Sequence, residues 1–363
     1  MALPKIQPER YDQLLKDKVN KIKQDFSNFD SPEIEVFTSL TSNYRLRAEF
    51  RVWHDNDELD YVMFEPGNNK HPIKLDSCEM VSPRIRDMMF DFLNTIKQNQ
   101  TLRFKLFEID FLSTLSGQLL VSMLYHKPID EEWEQEAQQL RQQYDIDIVG
   151  RSRKKKIILE RDFVIETLNI NDREYHYQQI ENGFTQPNGE VCQKMIEWTL
   201  DATRDAGGDL IEFYCGNGNF TLPLAQNFNR VVATEISKTS VNAARFNIEQ
   251  NNIKNVDILR MPSEDLTLVL QGKKETRKVA DLALEECQFS TVLVDPPRCG
   301  LDADTVQQVT EYENIIYISC NPETLHDNLS VITETHKIER FAAFDQFPYT
   351  HHLECGVYLT KKV

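Results

Sequence analysis

The sequence predicts an α/β protein in two parts, an α+β first half and, from about residue 183, a doubly wound, mostly parallel sheet. Three observations carry that expectation. After residue 190 strand-like and helix-like segments alternate regularly, the pattern of parallel strands joined by crossover helices. Two glycines, Gly216 and Gly218, follow the first of those strands directly. Before residue 182, by contrast, short strand-like runs follow one another and only two helical segments interrupt them. With 363 residues and 40% hydrophobic content the chain is long enough for two cores, and the division is expected at 1–182 and 183–363.

The N-terminal 40 residues read as one polar amphipathic helix over Pro8 to Phe29, ended by the turn-rich "SNFDSPE". Strands are then expected at "YRLRAEFRVW", "DYVMFEP", "RFKLFEIDFL", "QLLVSMLYH", "DIDIVGR", "KKIILE" and "EYHYQQI", with helices at "SPRIRDMMFDFLNTIKQ" and "DEEWEQEAQQLRQQY". In the second half a helix over Val191 to Thr203 precedes the strand "DLIEFY", and "RVVATE", "VDILRM", "STVLVDPPR" and "NIIYISC" follow with helices between them. The last two strands, "KIERFAAFDQF" and "HLECGVYLT", leave no room for a helix. They look like the hairpin that closes the Rossmann-like, seven-stranded methyltransferase variant of the doubly wound fold.

Composition narrows the function classes. No apolar run reaches signal-peptide or membrane length, so a cytoplasmic protein is expected. The seven cysteines form no CxxC pair, which predicts reduced thiols, no metal site and no iron–sulfur cluster. A net charge of −17 argues against indiscriminate coating of nucleic acid, though not against an enzyme with local basic faces. Two such faces are legible. "YRLRAEFRVWH" sets Leu46, Ala48, Phe50 and Val52 on one strand face and Arg45, Arg47, Glu49 and Arg51 on the other, a candidate phosphate track. "GRSRKKKIILER" gathers Arg151, Arg153, Lys154, Lys155, Lys156 and Arg161. A solvated surface would explain either stretch taken alone.

"EFYCGNGNF" predicts a tight turn and a nearby helix N-terminus, the arrangement that lets backbone approach a nucleotide. Thr221 stands where a dinucleotide fingerprint would carry a third small residue, so that fingerprint is incomplete. Glu235 ends the second strand, where an acid accepts from both ribose hydroxyls. Glu264 and Asp265 of "MPSED" are candidates for the adenine end. Together these residues predict a bound adenosine cofactor. "LVDPPRCG" then puts Asp295 and two stiffening prolines at the end of the fourth strand, a rigid slot for a planar base. Arg298 stands where an amino-group methyltransferase would carry an aromatic residue.

Cys320, in "YISCNPETL", ends the fifth strand, and Pro322 can open the helix that follows. Most free cysteines are small buried hydrophobes, and that reading is available here too. The alternative is chemical. Carbon 5 of a pyrimidine is a poor nucleophile until a thiolate adds to carbon 6, and the proton left on carbon 5 must afterwards go to a base. A helix N-terminus at Pro322 would favour the thiolate. Glu354, at the start of the last strand, is the candidate base; His351 and His352 compete for that role and Cys355 for that of nucleophile. Alternation turns Glu354 and Cys355 to opposite faces.

"QPN" at 186 to 188, "YCGNGNF", "ATE", "VDPPRCG", "YISCNPETL" and "HLECG" occur in the order and spacing of the RNA (uracil-5-)-methyltransferase family, which the chain resembles along most of its length. The resemblance implies Cys320 as nucleophile on carbon 6 and Glu354 as proton acceptor. It implies Gln186, Tyr214, Asn219, Glu235 and Asp295 as contacts to S-adenosyl-L-methionine, with Phe184 and Arg298 as further pocket candidates. Ribosomal-RNA members carry a four-cysteine iron–sulfur motif and often an extra N-terminal barrel; this sequence shows no such cysteine cluster, and the 40 mostly helical residues before its first strand are expected to leave no room for the barrel. The resemblance is therefore to the tRNA branch, whose substrates are the T-loop uridine of tRNA and the similar loop of tmRNA; no obligate protein partner and no membrane are implied. A stacked T-loop base must be extruded, which would give Arg45, Arg47, Arg51, the basic segment after Gly150 and Phe107 their work. Three other readings are a ribosomal-RNA uracil methyltransferase, a cytosine-5 methyltransferase and a non-catalytic RNA-binding protein. A nicotinamide oxidoreductase is disfavoured by Thr221 and by the Cys/Glu pair.

Overall fold

The computed structural model describes residues 6–65, 68–280 and 282–362. Its contacts divide the chain into two compact units, one built from Leu40–Thr167 and Gln179–Gly189, the other from Glu9–Ser39, Leu168–Gln178 and Glu190–Val363. The helix α1 (Tyr11–Asp25) and the short strand β1 (Glu35–Phe37) open the chain. Both belong to the second unit, not to the N-terminal domain expected at 1–182. The physical reason is the face that α1 buries. Tyr11, Leu15, Val19 and Ile22 join one apolar cluster with Ile211, Val292, Tyr317 and Phe341 of the second unit.

The first unit is an α+β arrangement. Its strands are β2 (Arg47–Asp55), β3 (Glu58–Glu65) and β4 (Asn68–Lys74), then, after the helices α2 (Pro83–Gln98) and α3 (Gln100–Arg103), β5 (Leu106–Ser113) and β6 (Leu119–Tyr125), and after α4 (Glu131–Tyr144), β7 (Asp147–Ser152) and β8 (Lys155–Ile158). They form one seven-stranded sheet in the order β4-β3-β2-β5-β6-β7-β8. Only β6 and β7 pair in parallel, because α4 carries the chain back between them. The alternation read from β2 holds, with Ala48, Phe50 and Val52 buried. Ser82 caps α2 by accepting from the Ile85 N–H, and Pro83 occupies the first turn, where its missing donor is harmless. The strand β9 (Phe163–Ile170) and its partner β10 (Arg173–Ile180) contribute residues to both units.

The second unit begins its alternation with α5 (Gly189–Ala202) and β11 (Asp209–Phe213), followed by α6 (Thr221–Leu224), β12 (Val231–Glu235), α7 (Lys238–Gln250), β13 (Val256–Arg260), α8 (Ser263–Leu270), β14 (Phe289–Val294), α9 (Ala303–Val309), β15 (Asn314–Ser319), α10 (Pro322–Ile332), β16 (His336–Phe344) and β17 (Glu354–Lys361). Its sheet runs β1-β16-β17-β15-β14-β11-β12-β13. Seven of the strands are those expected from the sequence; the eighth, β1, adds to the edge by pairing in parallel with β16. Only β17 runs against its neighbours β15 and β16, which makes the closing hairpin. Every residue of β11 is buried, as a strand covered by helices on both faces requires. All ligand-facing ends considered below lie at the carboxyl ends of the parallel strands or at the entry to β17.

Candidate active site

Two groups of sequence-predicted residues come together in the second unit. The first surrounds the turn after β11. Tyr214 sits at φ +62°, a left-handed conformation that a bulky residue adopts only under constraint. Gly216 and Gly218 are also left-handed; a Cβ on Gly216 would meet nothing within 4 Å, whereas one on Gly218 would approach the Leu222 Cδ1 to 2.5 Å. The backbone is thus open on the side of Gly216 and tightly packed behind Gly218. Glu235, half-buried at the end of β12, accepts from the Gly216 N–H at 3.1 Å and the Ser237 N–H at 2.7 Å. Asn219 is held through its carbonyl by the Tyr177 hydroxyl at 3.0 Å, and its side-chain Nδ2 is buried with no hydrogen-bond partner. An open glycine backbone, a carboxylate beside it and an orphaned amide donor fit an adenosine-bearing ligand with a polar tail.

The sequence reading passed over Glu212, inside β11. It is 1% exposed, its Oε2 has no hydrogen-bond partner, and burial pushes its carboxyl up to about 8. An acid in the middle of a strand-like apolar run is the signal that marks it.

The second group lies at the ends of three adjacent strands. Asp295 follows Val294, which pairs with Tyr317 of β15. Ser319 pairs with Cys355, so Cys320, one step beyond, and Glu354, one step before, flank the same point across β15 and β17. Alternation turns both to the face opposite Ser319 and Cys355. Cys355 is fully buried in the core, which removes it as the competing nucleophile, while Cys320 is half-buried and lines a cleft of about 670 Å³. Arg298, His351, His352 and the Lys18 and Lys21 side of α1 line the same cleft. The two histidine rings lie against each other at a tilt of 38°, with centroids 4.0 Å apart.

The loop carrying Arg298 is fastened to the first turn of α10. The Asn321 side chain donates to the Arg298 carbonyl at 2.9 Å, and the Thr324 hydroxyl does so at 3.4 Å. Gly300, at φ +72°, permits the approach, since a Cβ there would come within 2.8 Å of the Thr324 Cβ. Pro322 opens α10 as expected, with Asn321 capping it.

The electrostatics depart from the sequence expectation. A helix N-terminus was expected to favour the Cys320 thiolate, yet the thiol is pushed up to about 11. Burial is the largest cause, the Glu354 and Asp295 carboxylates add to it, and Arg298 opposes them. Glu354, 3% exposed, is held well above the usual carboxylate range by burial and then by Asp295, with Arg298 again opposing. Burial pushes Asp295 up to about 7. Three acids meet at one partly desolvated point, where Asp295 makes the ionised forms of Cys320 and Glu354 costlier and Glu354 does the same to Cys320.

Gln186 and Phe184 fall in the first unit and are not brought together with these groups within one unit. Phe184 is 79% exposed. In that same unit the arginine track is partly occupied. Arg45 donates to the Arg47 carbonyl at 2.7 Å, Arg47 reaches the Gly183 carbonyl, and Arg51 pairs with Glu108 at 2.8 Å. Of the second basic stretch, Arg151 and Lys156 pair with Glu181, and Arg161 with Asp147, leaving Arg153 and Lys154 exposed at the β7–β8 turn. What the sequence did not show is a stack: Arg51 lies 3.8 Å over the Phe107 ring, whose other neighbour, His126, stacks at 3.9 Å and is exposed. His126 carries no sequence signal of its own.

Among the described residues no group of three or more His, Cys, Asp or Glu is placed to hold a metal ion, and no helix is long and apolar enough to cross a membrane.

A family model described as tRNA (Uracil-5-)-methyltransferase matches residues 10–362. A tRNA/tmRNA (uracil-C(5))-methyltransferase of Pseudoalteromonas atlantica is 53% identical over 366 residues, covering 100% of both chains. One of the same description from Vibrio atlanticus is 51% identical over 369 residues, again covering 100% of both. Among solved structures, a Pyrococcus abyssi tRNA (uracil-54, C5)-methyltransferase in complex with S-adenosyl-L-homocysteine superposes with a TM-score of 0.72 at 21% identity, over 96% of this chain and 83% of that one. That similarity is one of fold.

Proposed function

The chain belongs to the tRNA (uracil-5-)-methyltransferase family, and on that premise we propose that it methylates carbon 5 of the T-loop uridine of tRNA, and of the equivalent loop of tmRNA, through a covalent adduct on Cys320. The observation that carries the adduct is the pairing of a cleft-lining thiol with a buried carboxyl across neighbouring strand ends. In this reading the Cys320 thiolate forms a bond to carbon 6, and the electron pair of the 5,6 double bond makes carbon 5 nucleophilic. S-adenosylmethionine, held by the residues assigned below, would supply an electrophilic methyl group on its positive sulfonium: the C5–methyl bond would form as the sulfur–methyl bond breaks, that pair staying on sulfur, which leaves as the neutral thioether S-adenosylhomocysteine. Glu354, ionised, then accepts the carbon 5 proton; that C–H pair restores the double bond, and the S–C6 pair leaves with Cys320 as thiolate.

Tyr214, Asn219, Glu235 and Asp295 are the residues we assign to the cofactor within the second unit, supported by the open backbone at Gly216 and the unpartnered Asn219 Nδ2. Gln186 is assigned with them on family resemblance. Arg298 opposes the acid cluster and is suited to the uracil carbonyl side of the pocket. Aromatic rings with a free face bind unstacked bases, so the Arg51–Phe107–His126 stack supports an RNA-contacting role for the first unit. We take the protein to act in the cytoplasm, where its RNA substrates are found.

The test is mass spectrometry of a T-arm stem-loop RNA incubated with the enzyme and S-adenosylmethionine. One added methyl on the loop uridine is expected, together with none in Cys320→Ala. No gain on that uridine with the unmodified enzyme would sink the proposal.

A further inference from the structure

The segment joining β16 to β17 has no regular structure from Asp345 to Leu353, forms a wall of the cleft at Cys320, and delivers the chain to Glu354. Internal bonds turn it near its middle: the Thr350 hydroxyl and N–H donate to the Phe347 carbonyl at 2.8 Å and 3.3 Å, and the His352 N–H donates to the Thr350 hydroxyl at 3.2 Å. At its start the Asp345 N–H donates to the Phe37 carbonyl at 3.0 Å, the Gln346 side chain donates to the Met195 Sδ at 3.4 Å, and Leu353 is buried in the core; α1 adds a clasp that reaches along the segment. Lys18, whose side chain is 9% exposed, donates to the Asp345 Oδ1 at 2.7 Å, to the Phe347 carbonyl at 2.9 Å and to the His352 carbonyl at 3.1 Å. All three ammonium protons are therefore spent on one segment, at its first residue, near its middle and two residues before Glu354. Burial lowers the Lys18 ammonium and the Asp345 carboxylate opposes that shift, so the charge is kept by the ion pair. The Glu354 carboxyl makes no hydrogen bond among the described residues; its backbone is registered opposite Phe344 at the first position of β17, where the 345–353 segment enters the strand.

We propose that Lys18 is a positioning residue for proton removal: it clasps the 345–352 segment so that the Glu354 carboxyl meets the proton on carbon 5. The proposal rests on the reading of Cys320 as nucleophile and Glu354 as proton acceptor. A misaligned Glu354 leaves bond formation at carbon 6 and methylation untouched and slows only the last step, in which the C5–H pair restores the double bond, the S–C6 bond breaks and the proton passes to the carboxylate. Misplacement of a reacting group by about 1 Å slows a step by up to roughly a hundredfold.

The experiment compares the full-length enzyme with Glu354→Gln, Lys18→Met and the double variant Lys18→Met/Asp345→Asn. The RNA is a T-arm stem-loop, and the readout is the denaturation-resistant, methylated enzyme–RNA adduct per turnover, with thermal midpoints alongside. The expected result is an adduct raised roughly ten- to a hundredfold in Lys18→Met, in the same direction as Glu354→Gln. Asp345→Asn removes the buried charge that Lys18→Met leaves unpaired, so the double variant regains thermal stability while the adduct stays raised; it carries the test if Lys18→Met does not fold. An adduct that stays at the unmodified level in Lys18→Met, or that falls back as stability returns, overturns the proposal while Glu354→Gln still accumulates it. If Glu354→Gln accumulates none, the proton-acceptor reading fails and the proposal with it.

Discussion

The ionisation of Cys320 gives the sharpest quantitative consequence of the site. Its thiol is pushed from an ordinary 9.0 to about 11, first by burial, then by Glu354 and Asp295. At pH 8 a thiol at 9.0 is about one-tenth ionised and one at 11 about one-thousandth, a hundredfold difference in attacking species. The sign follows from the charged form being the disfavoured one: both carboxylates repel a thiolate, and Arg298 attracts it. The assay is the rate of Cys320 carboxamidomethylation against pH, followed by peptide mass mapping because Cys299 is also exposed. In the free enzyme the rate should climb about tenfold per pH unit through pH 10 without a plateau. Glu354→Gln should bring the midpoint down, and Arg298→Met should move it up. A plateau with a midpoint below 9 in the unmodified enzyme, or an upward shift in Glu354→Gln, would refute the electrostatic account.

Three further outcomes follow from the same geometry. Phe107→Ala should weaken T-arm RNA binding by about 1–3 kcal/mol, and Arg51→Ala should lower the salt slope of log K by about 1, both by anisotropy between about 50 and 200 mM salt; unchanged affinity and slope would remove the stack from the interface. Glu235→Gln keeps the shape but loses the charge that accepts from Gly216, and should weaken S-adenosylmethionine by about 1.5–3 kcal/mol in calorimetry. An equal affinity would mean that the carboxylate does not face the ribose. Gly300→Val forces a Cβ toward Thr324 at a left-handed position and should cost about 1–3 kcal/mol in thermal unfolding, with methylation falling because the Arg298 loop shifts; a wild-type melting point would contradict the close approach.

Much of the site was legible because its chemistry is written at strand ends. "LVDPPRCG", "YISCNPETL" and "HLECG" each carry a polar residue directly after or before an apolar run, and the sheet order β14-β15-β17 brings those ends side by side. The strand β9 was missed because Glu166 interrupts its apolar alternation; it is buried all the same, since both its carboxylate oxygens accept from the Leu115 N–H. The polar, proline-bearing β4 and the three-residue β1 carry too little periodicity to read. An amphipathic face on α1 states that the helix packs but not on which sheet, so its place in the second unit was out of reach.

Protonation was out of reach for a deeper reason. The helix-end argument for a Cys320 thiolate is local, using only the residues that follow it in sequence. The terms that prevail come from burial and from Asp295 and Glu354, which chain topology brings to the same point from separate strands. Arg298 opposes the upward shifts of Cys320 and Glu354 without cancelling them, and burial alone raises Asp295, so the free enzyme holds all three protons more tightly than exposed groups would. Under the proposed mechanism, in which Cys320 releases its proton and Glu354 later accepts a carbon-bound one, the site is set, before substrate arrives, toward the protonated side of both steps. Any positive charge delivered beside Asp295 shifts all three acids toward ionisation together, which ties the reactivity of Cys320 and the basicity of Glu354 to the same event.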